Sequence, residues 1–261
     1  MKLTGNTILI TGGASGIGEE MTKQLLKRQN TIIVTGRSQA KLDKIKKRFP
    51  ELHTIKSDVS QISEIQALYT QVTKDFPNLN ILINNAGIMK NINFHDLNDS
   101  LEKLTEEIDI NLKGPIRMTK VFLPHLKKKS GAAIVNVTSG LAFVPLPSSP
   151  VYCSTKAALH SFTESLRVQL SKTKVRVFEV APPATQTELL GHLDPEDAKG
   201  VKVMSVENMV SASLSGIEND KNEIRPGQSN QLKFMSRVAP NFILKQMSGP
   251  MERILKESKH N

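Results

Sequence analysis

Tryptophan is missing from this 261-residue sequence, which contains only two tyrosines and one cysteine. A single cysteine excludes an internal disulfide and is typical of a protein from a reducing compartment. No run of about eighteen apolar residues occurs, so we expect no transmembrane segment. The first residues show neither the apolar core nor the small-residue cleavage site of a signal peptide. Together these absences predict a cytoplasmic protein.

The composition indicates a folded chain with a basic surface. Hydrophobic residues make up 38% and charged residues 23%, which argues against disorder. The formal net charge is +10, and about half of the excess lies in residues 221–261. A solvated basic face is one interpretation, and attraction for anionic ligands is another. Nucleic-acid binding is disfavoured because the sequence has no reader motif and few aromatic residues. We identify no candidate metal site.

Short apolar runs alternate with amphipathic segments as far as residue 225. This alternation predicts an α/β fold of one domain: a doubly wound, Rossmann-type parallel sheet of about seven strands with helices on both faces. We assign residues 1–227 to this domain. Residues 228–261 form a basic, Met-rich extension. We predict that it packs on the domain or on a neighbouring subunit and covers part of the substrate pocket or an oligomer interface, with a membrane-surface role as the alternative. The predicted strands are 7–11, 31–35, 52–56, 80–83, 133–137, 175–180 and 223–225.

A glycine-rich turn follows the first strand and leads directly into a helical pattern. It reads Gly12-Gly13-Ala14-Ser15-Gly16-Ile17-Gly18. Helix N-terminal amides at such a turn bind a pyrophosphate, and glycines permit its close approach. The spacing differs from the G-x-G-x-x-G fingerprint, and a simple connector is the alternative. Its place between strand and helix favours phosphate binding.

The second strand ends at Gly36-Arg37-Ser38, where dinucleotide-binding folds that prefer NAD carry an acidic residue. A guanidinium and a helix N-terminus capped by Ser38 would suit the 2′-phosphate of NADP instead. The alternative is that Arg37 is a solvated loop residue. After the third strand, Asp58 could reach an adenine amine, and the Asn84–Gly87 stretch after the fourth could be only a tight turn.

Residues 138–156 carry the strongest catalytic candidates. Tyr152 and Lys156 are four residues apart on a predicted helix and therefore share a face, and Ser139 ends the preceding strand. An ammonium beside a phenol is expected to lower its pKa, which would suit acid/base work on a carbonyl or alcohol. A helix-face pair without catalytic meaning is the alternative. The neighbouring Cys153 is interpreted as a packed apolar residue.

Pro115 interrupts a helix predicted over residues 101–129. Proline lacks an N–H, so the Asn111 carbonyl four residues earlier loses its usual partner. We expect a kink near Asn111 and a water on its main-chain oxygen that leads toward Lys156. The alternative is a bend with that carbonyl bonded elsewhere in the chain.

These motifs together resemble the short-chain dehydrogenase/reductase family over about residues 3–227. Within it the chain looks most like the bacterial oxidoreductases encoded with D-alanyl-lipoteichoic acid genes. The resemblance implies that Tyr152 is the general acid/base, that Lys156 holds the nicotinamide ribose and that Ser139 orients the substrate carbonyl. It also implies that Asn111 holds a relay water. The cofactor-binding residues would be Gly12, Ser15, Gly16, Ile17, Gly18, Arg37, Ser38, Asp58, Val59, Asn85, Ala86, Gly87, Tyr152, Lys156, Pro182, Thr185 and Thr187.

One departure concerns the segment after the sixth strand, where the family usually has Pro-Gly and this chain has Pro182-Pro183. Pro183 has no amide donor, which affects the expected placement of the nicotinamide. A lid is predicted over residues 185–203. Apolar residues of the loop after the fifth strand and of the lid suggest an apolar substrate, whether aliphatic, aromatic or steroid-like. The proposed substrate contacts are Ser139, Leu141, Phe143 and Leu189.

The resulting hypothesis is an NADP-dependent oxidoreductase that prefers NADPH and acts on a small-molecule carbonyl or secondary alcohol. A homodimer or homotetramer is expected. An NADP-binding regulatory or sensor protein on the same fold, without turnover, is the alternative because fold does not dictate function.

Overall fold

A seven-stranded, wholly parallel sheet forms the centre of the molecule, in the order β3-β2-β1-β4-β5-β6-β7. It is seen in a computed structural model that describes residues 1–96, 99–190 and 202–257. The predicted doubly wound α/β fold is confirmed. The strands are β1 (Thr7–Thr11), β2 (Thr31–Gly36), β3 (His53–Lys56), β4 (Leu79–Asn84), β5 (Ala133–Val137), β6 (Arg176–Val180) and β7 (Glu223–Ile224).

Helices cover both faces of the sheet, and each face has its own hydrophobic core. In β1, Ile8 and Ile10 join one core while Leu9 joins the other, as the two-residue period of a strand requires. The helices are α1 (Gly16–Leu26), α2 (Gln39–Arg48), α3 (Ile62–Asp75), α4 (Leu101–Ile108), α5 (Gly114–Leu126), α6 (Pro150–Gln169), α7 (Val206–Glu218), α8 (Ser229–Val238), α9 (Pro240–Met247) and α10 (Gly249–Glu257).

The single helix predicted over residues 101–129 is interrupted. A π-helical turn, Asp109–Lys113, separates α4 from α5, and the Gly114 N–H donates to the Asp109 carbonyl five residues earlier. Asn111 lies in the middle of this turn, so the irregularity occurs where Pro115 predicts it, as a widened turn. A π turn of this kind is frequent at functional sites. The expected water on the Asn111 carbonyl stays a prediction.

The C-terminal extension forms α8, α9 and α10 and packs on its own chain. Ser229 is fully buried, and the Lys233 ammonium bonds both carboxyl oxygens of Glu223 in β7, at 2.7 and 2.6 Å. A Cβ added to Gly140, in the 3₁₀ turn after β5, would lie 2.8 Å from the Ser229 hydroxyl oxygen. The extension therefore lies directly against the loop that follows β5.

The predicted lid over residues 185–203 lies only partly within the described residues. The ends of the expected lid are joined because the Met204 N–H donates to the Ala184 carbonyl at 2.9 Å and the Gln186 N–H to that of Met204 at 3.0 Å. The central part of this lid, residues 191–201, lies outside the described residues.

Among the helices that the structure describes, none combines the length and apolar character needed to cross a membrane.

Candidate active site

A cavity of about 1020 Å³ lies at the carboxyl ends of the strands. Ligands of open α/β sheets bind at this edge. The cavity is lined by nearly all the residues that the sequence marks for cofactor binding. Those residues are Gly12, Ser15, Gly16, Ile17, Gly18, Arg37, Asp58, Val59, Asn85, Ala86, Gly87, Tyr152, Lys156, Pro182, Thr185 and Thr187.

The glycine turn after β1 is shaped for close approach. Gly12 and Gly16 have φ of +64° and +54°, the left-handed region that glycine adopts readily. A Cβ on Gly18 would lie 2.3 Å from the Gly12 carbonyl oxygen. Asn85 holds the turn because its side-chain amide donates to the carbonyls of Thr11 and Gly12, at 3.0 and 3.1 Å. The glycine turn, held by Asn85, therefore leads directly into the N-terminus of α1 without side chains that would block a ligand.

Two basic side chains stand where β2 passes into α2. Arg37 pairs with Glu106 at 3.2 Å, and Lys41 pairs with Glu188 at 2.6 Å. Both basic residues line the cavity. Ser38 does not: its hydroxyl accepts the Lys41 N–H at 3.3 Å and caps α2, as the sequence also predicts. The sequence reasoning missed Lys41, although its position in the first turn after the Ser38 cap was a usable signal.

Ser139, Tyr152 and Lys156 meet on one wall of the cavity. The Ser139 hydroxyl hydrogen-bonds the phenol of Tyr152, and the Lys156 ammonium lies 5.6 Å from the centre of the phenol ring. Lys156 itself donates to the main-chain carbonyl of Val137 at 3.0 Å. Both Tyr152 and Lys156 are buried, with exposures of 6% and 4%. Strand β5 and helix α6 thus bring the three predicted groups together.

The expected lowering of the phenol pKa by the lysine is wrong for this structure. Burial raises the pKa of Tyr152 well above its ordinary value, and only the hydrogen bond from Ser139 opposes this. Burial also lowers the pKa of Lys156 to about 8, because an ammonium loses hydration there. The sequence spacing could not reveal this, since desolvation depends on everything that packs around the pair. At neutral pH Tyr152 is therefore a protonated phenol.

Asn111 lies beneath this wall and is fully buried. Its amide donates to the Ile88 carbonyl at 2.8 Å and to the Thr155 hydroxyl at 3.2 Å, while its carbonyl oxygen accepts the Ile88 N–H at 2.9 Å. A Cβ on Gly87 would lie 3.3 Å from that oxygen and 3.5 Å from the Lys156 nitrogen. The π turn therefore ties the segment after β4 to α6, and glycine leaves the space between them open.

The segment after β6 curves over the glycine turn. The Pro182 carbonyl accepts a hydrogen bond from the Gly140 N–H at 2.8 Å, and the Pro183 carbonyl accepts one from the Thr185 hydroxyl at 2.8 Å. The Thr187 methyl lies 3.4 Å from the position of a Cβ on Gly16. The two prolines are thus compatible with a threonine placed above the turn.

The other half of the cavity is mostly apolar. Leu141 and Leu189 line it as predicted, but Phe143 does not face it. The Phe143 ring instead packs edge-on against His160 at 5.1 Å and beneath the Lys233 ammonium at 5.0 Å, because the 3₁₀ turn directs it toward α8. The sequence predicts that the extension covers part of the substrate pocket or an oligomer interface, and residues of the extension do line the cavity. The apolar residues of the extension in the lining are Leu232, Met235, Phe242, Ile243 and Met247, and its polar or charged ones are Gln228, Gln231, Gln246 and Arg253.

Cys153 is inert in this arrangement. It is buried, and its sulfur accepts the Leu146 N–H at 3.2 Å. Burial raises the pKa of the thiol to about 11. The residue therefore packs as the sequence predicts and supplies no thiolate nucleophile.

The family model for short chain dehydrogenases matches residues 6–198. This chain belongs to the short-chain dehydrogenase family. It is 44% identical over 248 residues to the uncharacterized oxidoreductase DltE of Bacillus subtilis, covering 95% of this chain and 98% of the relative. An uncharacterized oxidoreductase of Staphylococcus saprophyticus is 33% identical, with 74% and 79% covered. The predicted resemblance to bacterial oxidoreductases of this kind is confirmed.

Solved structures of the family share the fold. A short chain dehydrogenase from Burkholderia cenocepacia in complex with NADP has a TM-score of 0.82 at 24% identity, covering 95% of this chain and 99% of that one. A 3-ketoacyl-(acyl-carrier-protein) reductase from Brucella melitensis, complexed with NADH, has a TM-score of 0.78 at 25% identity, with 87% and 100% covered. The short-chain dehydrogenase fold therefore carries nicotinamide cofactors of both kinds.

Proposed function

We propose that this short-chain dehydrogenase reduces a carbonyl of an apolar small molecule to a secondary alcohol, with NADPH as cofactor and Tyr152 as general acid. The observation that carries the proposal is the convergence of Ser139, Tyr152 and Lys156 on one wall of a cavity whose lining includes many apolar side chains. A general acid must hold its proton at the working pH, which this phenol does.

The groove beside the phenol fits a dinucleotide. Glycines line it where side chains would collide, and α1 begins there, so backbone N–H groups and the helix dipole favour a phosphate. Gly36 leaves no acidic group at the end of β2, and both Arg37 and Lys41 line that end. This charge distribution supports NADP over NAD.

The positions of the side chains suggest a separate role for each of them in the proposed reaction. Bound in the groove, reduced nicotinamide would supply the hydride. Ser139 would orient the carbonyl oxygen, and Tyr152 would transfer its phenolic proton to that oxygen as the alcohol forms. Lys156, whose ammonium lies beside the phenol ring, would stabilise the phenolate that remains.

The test is oxidation of NADPH by the purified protein with a panel of aliphatic, aromatic and polycyclic ketones and aldehydes. We expect turnover of at least one apolar member and tighter binding of NADPH than of NADH. Cofactor binding without turnover across the panel would favour the regulatory alternative. A homodimer or homotetramer and the cytoplasmic location stay predictions.

A further inference from the structure

His160 lies in the helix that carries Tyr152 and Lys156, and the chemistry proposed above gives it no role. The three residues are spaced four apart in α6, so they share one face of that helix. The His160 Nδ1 atom lies 2.8 and 3.0 Å from the two carboxyl oxygens of Glu179 in β6. Glu179 is fully buried, and its Oε1 also accepts the Thr138 hydroxyl at 2.7 Å. His160 is therefore tied to the sheet at a buried carboxylate.

A second carboxylate lies beside the first on the sheet. Glu223 in β7 is the register partner of Glu179 in β6, so the two side chains point to the same face. Like charges on neighbouring strands repel each other, and here each carboxylate has its own basic partner. His160 of α6 bonds Glu179, while Lys233 of α8 bonds both carboxyl oxygens of Glu223, at 2.7 and 2.6 Å. Arg225 also pairs with Glu223, at 3.0 Å.

Phe143 connects these two pairs. Its ring packs edge-on with the His160 ring, with centroids 5.1 Å apart, and the Lys233 ammonium lies 5.0 Å from the centre of the same ring. Phe143 ends the 3₁₀ turn that follows Ser139, and its N–H donates to the Gly140 carbonyl at 3.2 Å. A single aromatic ring thus contacts both α6 and α8 from the loop after β5.

This ring contact lies beside the part of the extension that lines the cavity. Leu232 and Met235 line the cavity and are one and two residues from Lys233 in α8. A Cβ added to Gly140 would lie 3.1 Å from a methyl carbon of Leu232, so α8 also meets the loop directly. The ion pair of Lys233 and this loop contact hold α8 as well. Loss of the aromatic contact should therefore loosen α8 without releasing it.

We propose that His160 is a positioning residue: held by Glu179, it keeps Phe143 in place and thereby seats the C-terminal extension on the apolar half of the cavity. The consequence for substrate binding rests on the proposed function. The seating of α8 does not depend on the substrate, since every contact that produces it lies within this chain. The alternative is that His160 and Glu179 stabilise the sheet as a whole and leave α8 unaffected.

The first test needs no turnover and follows backbone hydrogen exchange in the full-length protein. Phe143→Leu removes the ring and keeps the bond between His160 and Glu179. We expect exchange in α8 to become about two- to tenfold faster, the factor that one aromatic contact contributes. Exchange in α3, which packs against α5, should not change. Unchanged exchange in α8, or equal acceleration in α3 and α8, would overturn the proposal.

His160→Gln tests the histidine itself. Glutamine offers an N–H to Glu179 but no ring to Phe143, so α8 should loosen to a similar degree. Glu164→Gln is the matched control, because the Glu164 carboxylate is exposed, lies 3.7 Å from the other imidazole nitrogen and should not affect α8. When His160→Gln and Phe143→Leu are combined, the effect should fall well short of the product of the two, since both act through one contact. Effects that multiply would contradict the proposal.

A further variant covers a failure to fold. If His160→Gln does not fold because Glu179 is left uncompensated, adding Glu179→Gln removes that buried charge. Faster exchange confined to α8 in this double variant supports the proposal, and unchanged exchange overturns it. If the double variant also fails to fold, the two residues serve the fold as a whole and the proposal is wrong.

The second test measures KM and kcat separately for NADPH-dependent reduction of an apolar carbonyl. His160→Gln and Phe143→Leu should each raise KM about two- to tenfold, as the same loss of one contact would produce. The value of kcat and the affinity for NADPH should change little, because Tyr152 and the glycine turn keep their places. A lower kcat with an unchanged KM would overturn the link between α8 and the substrate. Absence of turnover in the unaltered protein would refute the proposed function, while the exchange result would still decide the role of His160.

Discussion

The Lys156 ammonium lies 5.6 Å from the centre of the Tyr152 ring and donates its hydrogen bond to the Val137 carbonyl, 3.0 Å away. The phenol instead takes a hydrogen bond from Ser139. In this arrangement the hydrogen bond of Lys156 goes to a main-chain carbonyl and not to the tyrosine. The proposed acid and the group proposed to stabilise its conjugate base are therefore separately held, which gives distinct predictions for the two residues.

Replacing Tyr152 by phenylalanine should reduce kcat by about 10²–10⁴-fold, the usual contribution of a general acid. The ring still packs, so the urea midpoint and the affinity for NADPH should change little. Loss of NADPH absorbance with a confirmed carbonyl substrate measures the rate. Tyr69→Phe is the matched control, because Tyr69 packs against Phe122 at 5.3 Å, away from the cavity. A Tyr152→Phe variant that keeps most of its kcat would point to another acid.

Lys156 should make stability depend on pH in the alkaline range. Its pKa is lowered on folding from 10.5 to about 8, so the folded state loses this proton before the unfolded state does. The shifted pKa of Lys156 therefore adds to the free energy of unfolding above pH 10.5, and this addition is lost as the pH falls through about 8. Relative to Lys156→Met, the free energy of unfolding should rise by about 3 kcal/mol across this interval. Urea titrations at several pH values measure it, and parallel pH curves for the two proteins would contradict it.

Arg37 should govern the choice of cofactor. A charge-assisted contact with a phosphate contributes about 1.5–3 kcal/mol, so NADPH should bind roughly ten- to a hundredfold more tightly than NADH. Arg37→Asp should reverse that order by repelling the 2′-phosphate. Fluorescence titration with both cofactors checks this. Lys47→Asp makes a similar charge change at an exposed position outside the cavity and should preserve the preference. Equal affinities in the unaltered protein would refute the assignment.

The C-terminal extension should be needed for substrate binding. Ending the chain at Gly227 removes the Lys233–Glu223 pair and the apolar side chains that α8 and α9 place in the cavity. We expect a lower urea midpoint and a KM for an apolar carbonyl raised at least about tenfold, as loss of about 1.4 kcal/mol of apolar contact would produce. Unchanged stability and KM would contradict this. Binding of the full-length protein to anionic lipid vesicles would instead support the membrane-surface alternative, since Phe234 and Phe242 are exposed.

The sequence by itself determined the fold and most of the site. Alternating apolar runs and helical patterns are local properties, and they predicted all seven strands to within one or two residues. The glycine turn, Ser139, Tyr152 and Lys156 each follow a predicted strand or share a helix face, so chain geometry brings them to the carboxyl edge of the sheet. Pro115 likewise located the irregular turn around Asn111, since a missing N–H acts on its own helix.

Tertiary structure decided what depends on surroundings distant in the sequence. Phe143 turned toward His160 and Lys233, and the extension supplied much of the apolar cavity, because these contacts join segments far apart in the chain. The raised pKa of the Tyr152 phenol and the burial of the Glu107 carboxyl group likewise depend on packing between distant segments. Desolvation is a sum over everything packed around a group, so residue spacing along one helix cannot predict it.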